Sequence, residues 1–211
     1  MAAAIALGYL AVLLGWLAAV GGGAAFARWL RGEEEPERRG SARWLGFNVD
    51  HKAIGVQYLA AALLVFVLSG IMALVMRAEL ARAGLQYMTH RQYNGFMSLH
   101  GIGMVAVALI SIVGGLGNFA LPLQIGARDM AFPRLNAMSF WMLPPAVVLL
   151  LSTLVTGGAD FGWTAYAPLS TRGLTANLLF VLAFITLGFS SIFGGVNFFV
   201  TVIRMRAKGM T

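Results

Sequence analysis

The side chain with the most chemical potential in this sequence is His100. It stands seven residues into an apolar run, 93–122, reading YNGFMSLHGIGMVAVALISIVGGLGNFALP. A bilayer core of ~30 Å needs about 20 apolar helical residues, so the run crosses it and carries the imidazole roughly 10 Å along the helix from the Tyr93 end. An ionisable group at that depth marks a metal, a proton path or a polar partner on a neighbouring helix. Gly101 and Gly103 remove bulk beside the imidazole, and Gly114, Gly115 and Gly117 do so farther on. Small residues of this kind admit either a packed helix or a flat cofactor. Arg77 ends the preceding apolar run on the same side as the near end of the His100 run, so the two can share one pocket; the other reading is a helix-end cation snorkelling to water. Asp129 follows the run, with Arg128 and Arg134 close by in sequence. It reads as a surface ion pair.

Composition says what must hold these groups. Of 211 residues, 59% are apolar and 11% charged, and the mean hydropathy is +0.80. Soluble domains carry about 25% charged residues, so this is an integral membrane protein. With no cysteine in the sequence, disulfides, zinc–thiolate sites, iron–sulfur clusters and cysteine nucleophiles are excluded from it. A metal here needs His, carboxylate, Met or carbonyl ligands. The net charge of +7 lies mostly in short loops between apolar runs, the pattern of membrane orientation and not of a nucleic-acid partner.

The fold class expected is all-α, a polytopic transmembrane bundle of about five transmembrane helices. Residues 1–30 form an N-terminal transmembrane helix around the apolar run 3–27. A signal peptide would carry positive charge before its apolar run, and residues 1–4 have none, so the helix is retained. Residues 31–52 are a polar cytoplasmic linker with three consecutive Glu and Pro36. Residues 53–211 hold the other spans, 53–76, 93–122, 137–156 and 174–203, with a kink at Pro144 and Pro145. Eleven of the 15 Lys and Arg lie in 28–52, the 122–137 loop and the C-terminal tail; four lie in the 77–93 and 157–173 loops. The first set is therefore cytoplasmic. This puts the chain in the plasma (inner) membrane with the N-terminus outside, the C-terminus inside, His100 nearer the outer surface and Asp129 in a cytoplasmic loop.

Several stretches in order carry a family resemblance: DHKAIGVQY (50–58), RAEL (77–80), YNGFMSLHG (93–101), GLGNFALPLQIGARDMAFPRLNAMSFWMLPP (115–145), GWTAYAPL (162–169) and SSIFGGVNFFVT (190–201). Together, over 48–211, they resemble the first four helices of cytochrome c oxidase subunit I, of the haem-copper oxidase superfamily, with one helix added in front. The resemblance implies that His100 is an axial ligand of a low-spin, six-coordinate haem of a-type, that Arg77 hydrogen-bonds its formyl group, and that Trp163 lies beside the macrocycle. A neutral imidazole is a good iron ligand, and a nearby cation stabilises the reduced state. Asp129, Asn118 and Asn136 resemble the mouth of the family's D pathway, and Tyr58, Ser190 and Ser191 the hydroxyls lining it. Glu79 and Gly84 resemble parts of an outer-surface calcium or sodium site, which wants several oxygen ligands.

As a function, the resemblance implies part of a terminal respiratory oxidase that moves electrons to oxygen with proton uptake, fed by cytochrome c or a similar carrier. The oxygen-binding haem, the copper and the second axial ligand are expected from the remaining subunit I helices, on another chain or in sequence outside these 211 residues, alongside other oxidase subunits and membrane lipid. Only three His occur here, and His51 and His90 are expected outside the membrane interior. No catalytic residue is therefore assigned in this chain, which is not expected to reduce oxygen alone. Three other readings stay open: a cofactor-free scaffold or assembly paralogue of the same fold, a quinol-oxidising relative, and, on glycines and prolines alone, a transporter. The chain departs from the family in reading DFGWT for the usual GTGWT, and in Ile185 where relatives often have His.

Overall fold

A computed structural model describes residues 2–36, 40–171 and 174–210. In chain order they form α1 (Ala2–Ala19), α2 (Gly22–Leu30), α3 (Ala42–Leu45), α4 (His51–Glu79), α5 (His90–Ile102), a π-helical stretch (Gly103–Leu109) running into α6 (Ile110–Ile125), α7 (Pro133–Trp141), α8 (Leu143–Ser152), a short 3₁₀ turn (Leu169–Thr171) and α9 (Leu174–Met205). Among the described residues every regular element is helical. Four helices are long and apolar enough to cross a membrane: His51–Glu79, His90–Ile125, Pro133–Ser152 and Thr175–Met205. All four expected spans from 53 onward are present, each running beyond its apolar run at one end or both. Local caps explain part of this: α5 begins at Thr89, whose hydroxyl accepts from the Gln92 amide while the Gln92 side chain accepts from the Thr89 amide, a capping box that outruns the apolar pattern.

The expected single helix over 3–27 is corrected. It is two helices, bent by 79° between Ala19 and Gly22. Gly21 sits at φ 104°, a left-handed conformation that only glycine adopts freely. A Cβ on Gly22 would lie 2.7 Å from the Leu17 carbonyl oxygen, so that position also excludes a side chain. The bend frees helical carbonyls, and one is satisfied from a distance, because the Phe47 amide donates to Val20 O at 2.9 Å. Counted as one broken span, the pair brings the total among the described residues to five; counted as a re-entrant loop, it leaves four.

Contacts divide the chain into two compact units: Met1–Leu59 with Val113–Pro145 and Thr186–Thr211, and Ala60–Ile112 with Ala146–Ile185. In the first, Gly55 faces Gly115 so closely that a Cβ on Gly55 would be 2.9 Å from Gly115 O, an approach that small residues alone permit. Asn197 and Thr201 of α9 hold the 130–132 loop: Asn197 Oδ1 accepts from the Phe132 amide and Thr201 Oγ1 from the Ala131 amide, each at 2.9 Å. In the second unit, Gly103 opens the π-helical stretch where a side chain would collide with the Ser69 hydroxyl.

The kink expected at Pro144 and Pro145 is the break at Met142 that separates α7 from α8. Neither proline has an N–H to return to the residue four back, so the carbonyls of Phe140 and Trp141 lose their helical partners. Trp16 of α1 supplies one substitute: its indole N–H donates to Trp141 O at 2.8 Å, and the two indoles lie 6.0 Å apart. Tyr9 makes a second tie from α1, its hydroxyl bonded to that of Thr186 on α9. Trp16→Phe keeps most of the ring and deletes the donor, leaving a carbonyl unpaired among apolar groups. We expect a loss of about 1–3 kcal/mol, read as a lower midpoint of thermal unfolding in detergent; an unchanged midpoint would show that the indole bond contributes nothing.

Candidate functional site

In the second unit, the geometry around His100 fixes which of its nitrogens is available. Nδ1 lies 2.9 Å from the carbonyl oxygen of Ser69 on α4. A carbonyl can only accept, so Nδ1 carries the proton and Nε2 presents a lone pair. This backbone-held tautomer is the arrangement by which metal-bound imidazoles are oriented. The ring is neither fully buried nor freely exposed. Beside it, Trp163 lies over Gly101, where a Cβ would meet the Trp163 Cβ at 3.2 Å and its ring carbons at 3.4 Å. Trp163 is 57% exposed, so much of the indole stays uncovered.

One face of α5 docks the loop that carries Trp163. Arg91 reaches Asp160 at 3.6 Å, and Gly95 lets Gly158 approach, its Cα 3.6 Å from where a Cβ would be. Ser98 Oγ accepts from the Gly162 amide at 2.9 Å while donating to Asn94 O. Positions 91, 95, 98 and 101 fall on one helical stripe, so the loop is aligned by the helix that bears the imidazole. The sequence DFGWT, a departure from the family, thus has a local reason: Asp160 is the partner of Arg91. Ser69 and Ser98 were not foreseen, since a carbonyl acceptor leaves no signature in side-chain type.

Arg77 is not brought against His100. It is exposed on the last turn of α4, about 12 Å along the axis from Ser69 and about 80° around it. Its guanidinium makes no ion pair among the described residues. Glu79 and Gly84 share the loop beyond it. The Glu79 carboxylate accepts from the amides of Gln86 (2.8 Å), Tyr87 (2.7 Å) and Met88 (3.2 Å), and Gly84 O accepts from the Gln86 side chain. The arrangement anchors the loop and turns most of the carboxylate's lone pairs to the backbone. Among the described residues no three His, Asp or Glu side chains gather as a metal cage.

The first unit gathers the polar residues of the other set. Asn136 Nδ2 donates to Asn118 Oδ1 at 2.5 Å, and Asn118 Nδ2 donates to Gly114 O at 2.8 Å. His51, expected outside the membrane interior, is buried at the start of α4 and donates from Nδ1 to Asn118 O at 2.8 Å. Asn136 is 1% exposed, and among the described residues its Oδ1 has no hydrogen-bond partner, a buried acceptor of the kind that water satisfies. The Asp129 carboxylate accepts from the Met130 amide at 2.7 Å and lies close to His51. Burial pushes it above the usual Asp value, opposed by the Met130 amide and by His51. The ion pair with Arg134 is not formed, because Arg134 bonds Glu35 at 3.0 Å.

Tyr58 and Ser190 meet through Ser139, which sequence reasoning passed over. Ser139 gives its one proton to Ser190 O at 2.6 Å, so Tyr58, 2.8 Å away, donates to Ser139 Oγ. Ser190 returns its proton to Ser139 O at 2.7 Å. Ser191 is not part of this cluster; it is exposed, turned about 100° from Ser190 around α9.

Comparison with known proteins gives these sites a context. The sequence model described as cytochrome c and quinol oxidase polypeptide I matches residues 53–211. The chain is 47% identical over 180 residues to cytochrome c oxidase subunit 1 of Thermostichus vulcanus, covering 83% of this chain and 33% of that protein. It is 41% identical over 174 residues to the protein of the same name from Synechocystis sp. (82% and 32%), and 42% identical over 181 residues to that of Corynebacterium glutamicum (82% and 31%). The chain spans about a third of the length of these relatives. The extent of the match shows that the chain belongs to the cytochrome c and quinol oxidase polypeptide I family, as an integral membrane portion of subunit I.

Proposed function

We propose that this chain is the portion of a terminal cytochrome c oxidase that holds the low-spin haem through His100 and takes up protons through Asp129. The observation that carries the first half is the bond from His100 Nδ1 to Ser69 O, which leaves Nε2 as a pre-oriented ligand. Trp163 would lie against the macrocycle, and Arg77 would bond its rim. When bound, an a-type haem supplies a one-electron couple between the donor and the oxygen-binding centre. This chain's own residues orient the ligand, cover one edge and place a positive charge near the reduced state. The oxygen-binding haem, the copper and the second axial His would come from the remaining subunit I helices, with cytochrome c as donor to the assembled complex. Relatives named cytochrome c oxidase support that donor over a quinol.

The second half rests on the cluster of Asp129, His51, Asn118 and Asn136. A half-buried carboxylate that keeps its proton to higher pH than an exposed Asp is suited to passing protons on, and Asn136 Oδ1, without a partner among the described residues, is an acceptor for a water chain. Tyr58 and Ser190 continue it as hydroxyls. The distribution of Lys and Arg supports a cytoplasmic face for Asp129, with the N-terminus outside.

His100→Ala should remove the low-spin haem, seen as loss of its sharp reduced-minus-oxidised bands from the purified complex; intact bands would dismiss His100 as the ligand. Arg77→Met should shift those bands and lower the midpoint potential by on the order of 50 mV, the scale of one partly screened charge. A redox titration that superimposes on wild type would leave Arg77 a helix-end anchor. For Asp129, infrared difference spectra should show a carboxyl titrating above the ~3.9 of an ordinary Asp, absent in Asp129→Asn, with proton uptake slowed on the order of 10²-fold. Because the folded carboxyl binds its proton more tightly than the unfolded one, its contribution to stability should fall as pH rises through this titration. A normal carboxyl titration, or uptake unaffected by Asp129→Asn, would remove Asp129 from the path.

A further inference from the structure

The segment 157–163 carries Trp163 to the side of His100, yet little in its own backbone fixes its course. Gly157, Gly158 and Gly162 take φ of 107°, 79° and 75°, left-handed values that glycine adopts freely. Two residues after Trp163, Ala165 sits at φ 53°. That conformation is strained for a residue with a Cβ and persists only where its surroundings impose it. The segment must therefore be held from outside.

Two elements of the second unit hold it. Phe161 is buried and meets Phe180 of α9 edge to face, with ring centroids 4.8 Å apart. Along α5 the contacts climb with the helix, from Arg91 at Gly157 and Asp160, through Gly95 at Gly158 and Ser98 at Gly162, to Gly101 under Trp163. The holds on α5 differ in strength. The Arg91 and Asp160 side chains are 52% and 25% exposed at a separation of 3.6 Å, so water screens the pair and it contributes little by itself. Its place adds something, because the first turn of α5 has no acidic residue and Arg91 there opposes the helix dipole, which Asp160 offsets. Ser98 is the stronger hold. It is fully buried, its proton goes to Asn94 O, and its oxygen is left to accept from the Gly162 amide. Removing that hydroxyl strands the amide next in the chain to Trp163.

Resting on the reading of His100 as the haem ligand, we infer that Ser98 is a positioning residue for the low-spin haem, with the Arg91–Asp160 pair as a weaker outer clasp. It acts through Gly162 on Trp163, and so on how closely the indole covers the macrocycle edge. A loosened indole admits water there, which favours the more highly charged oxidised iron and lowers the midpoint potential.

The test uses the purified oxidase complex. Hydrogen exchange at the Gly162 amide is read by mass spectrometry with electron-transfer fragmentation, and the low-spin haem by redox titration. Ser98→Ala should speed the exchange about tenfold, the effect of one buried hydrogen bond, and should lower the midpoint potential. Ser98→Thr, which keeps the hydroxyl, should return both towards wild type. Asp160→Asn and Arg91→Gln should each speed the exchange about twofold, and the double variant should do no more than either alone. Unchanged exchange in Ser98→Ala, or faster exchange with a redox titration that superimposes on wild type, would overturn the inference. If Ser98→Ala does not assemble, exchange indifferent to both Asp160→Asn and Arg91→Gln overturns it instead. Failure of the haem reading looks different: low-spin bands then survive His100→Ala, whatever the exchange at Gly162.

Discussion

Inside hydrocarbon, a backbone carbonyl or amide that loses its helical partner has no water to turn to, and each must be satisfied by another part of the protein. Much of this chain is arranged around that requirement. Pro145 cannot reach back to Trp141 O, and the indole of Trp16 does so instead. The bend at Gly21 frees Val20 O, and the Phe47 amide returns to it. The 130–132 loop has amides without helical partners, and Asn197 and Thr201 accept them. Breaks in the helices are therefore the places where distant segments are tied together.

The same requirement makes the two candidate sites what they are. Ser69 O can take a second donor besides the amide of its own helix, and His100 Nδ1 is that donor. A backbone acceptor cannot be rotated away, so the imidazole is held in one tautomer with Nε2 forward. In the other cluster His51 uses Asn118 O in the same manner, while Asn136 keeps one oxygen without a protein partner. The first arrangement fixes the orientation of an imidazole. The second leaves a buried acceptor open.

The spans from residue 53 onward were readable because lipid demands unbroken apolar length, and His100 stood out because it interrupts one such length. Asn118 and Asn136 could be grouped from motif alone, and the structure joins them directly. What escaped reading has a common cause. Ser69, Ser98, Ser139 and His51 act through backbone carbonyls and amides, and such partners have no residue type to recognise. The straight helix expected over 3–27 failed for a different reason: its apolar composition continues through Gly21 and Gly22, so hydropathy cannot register a turn made by backbone dihedral angles. Ser191 was grouped with Ser190 by the family resemblance, and it lies exposed because neighbours on a helix point about 100° apart.

The central claim is that His100 Nε2 binds haem iron while Nδ1 stays on a backbone carbonyl. Electron–nuclear double resonance of the oxidised complex, with histidine labelled by ¹⁵N, reads the imidazole nitrogens bound to low-spin iron and the exchangeable proton on each ligand ring. The account predicts a coupled nitrogen and a coupled Nδ1 proton that both vanish in His100→Gly. Identical couplings in wild type and His100→Gly would contradict it.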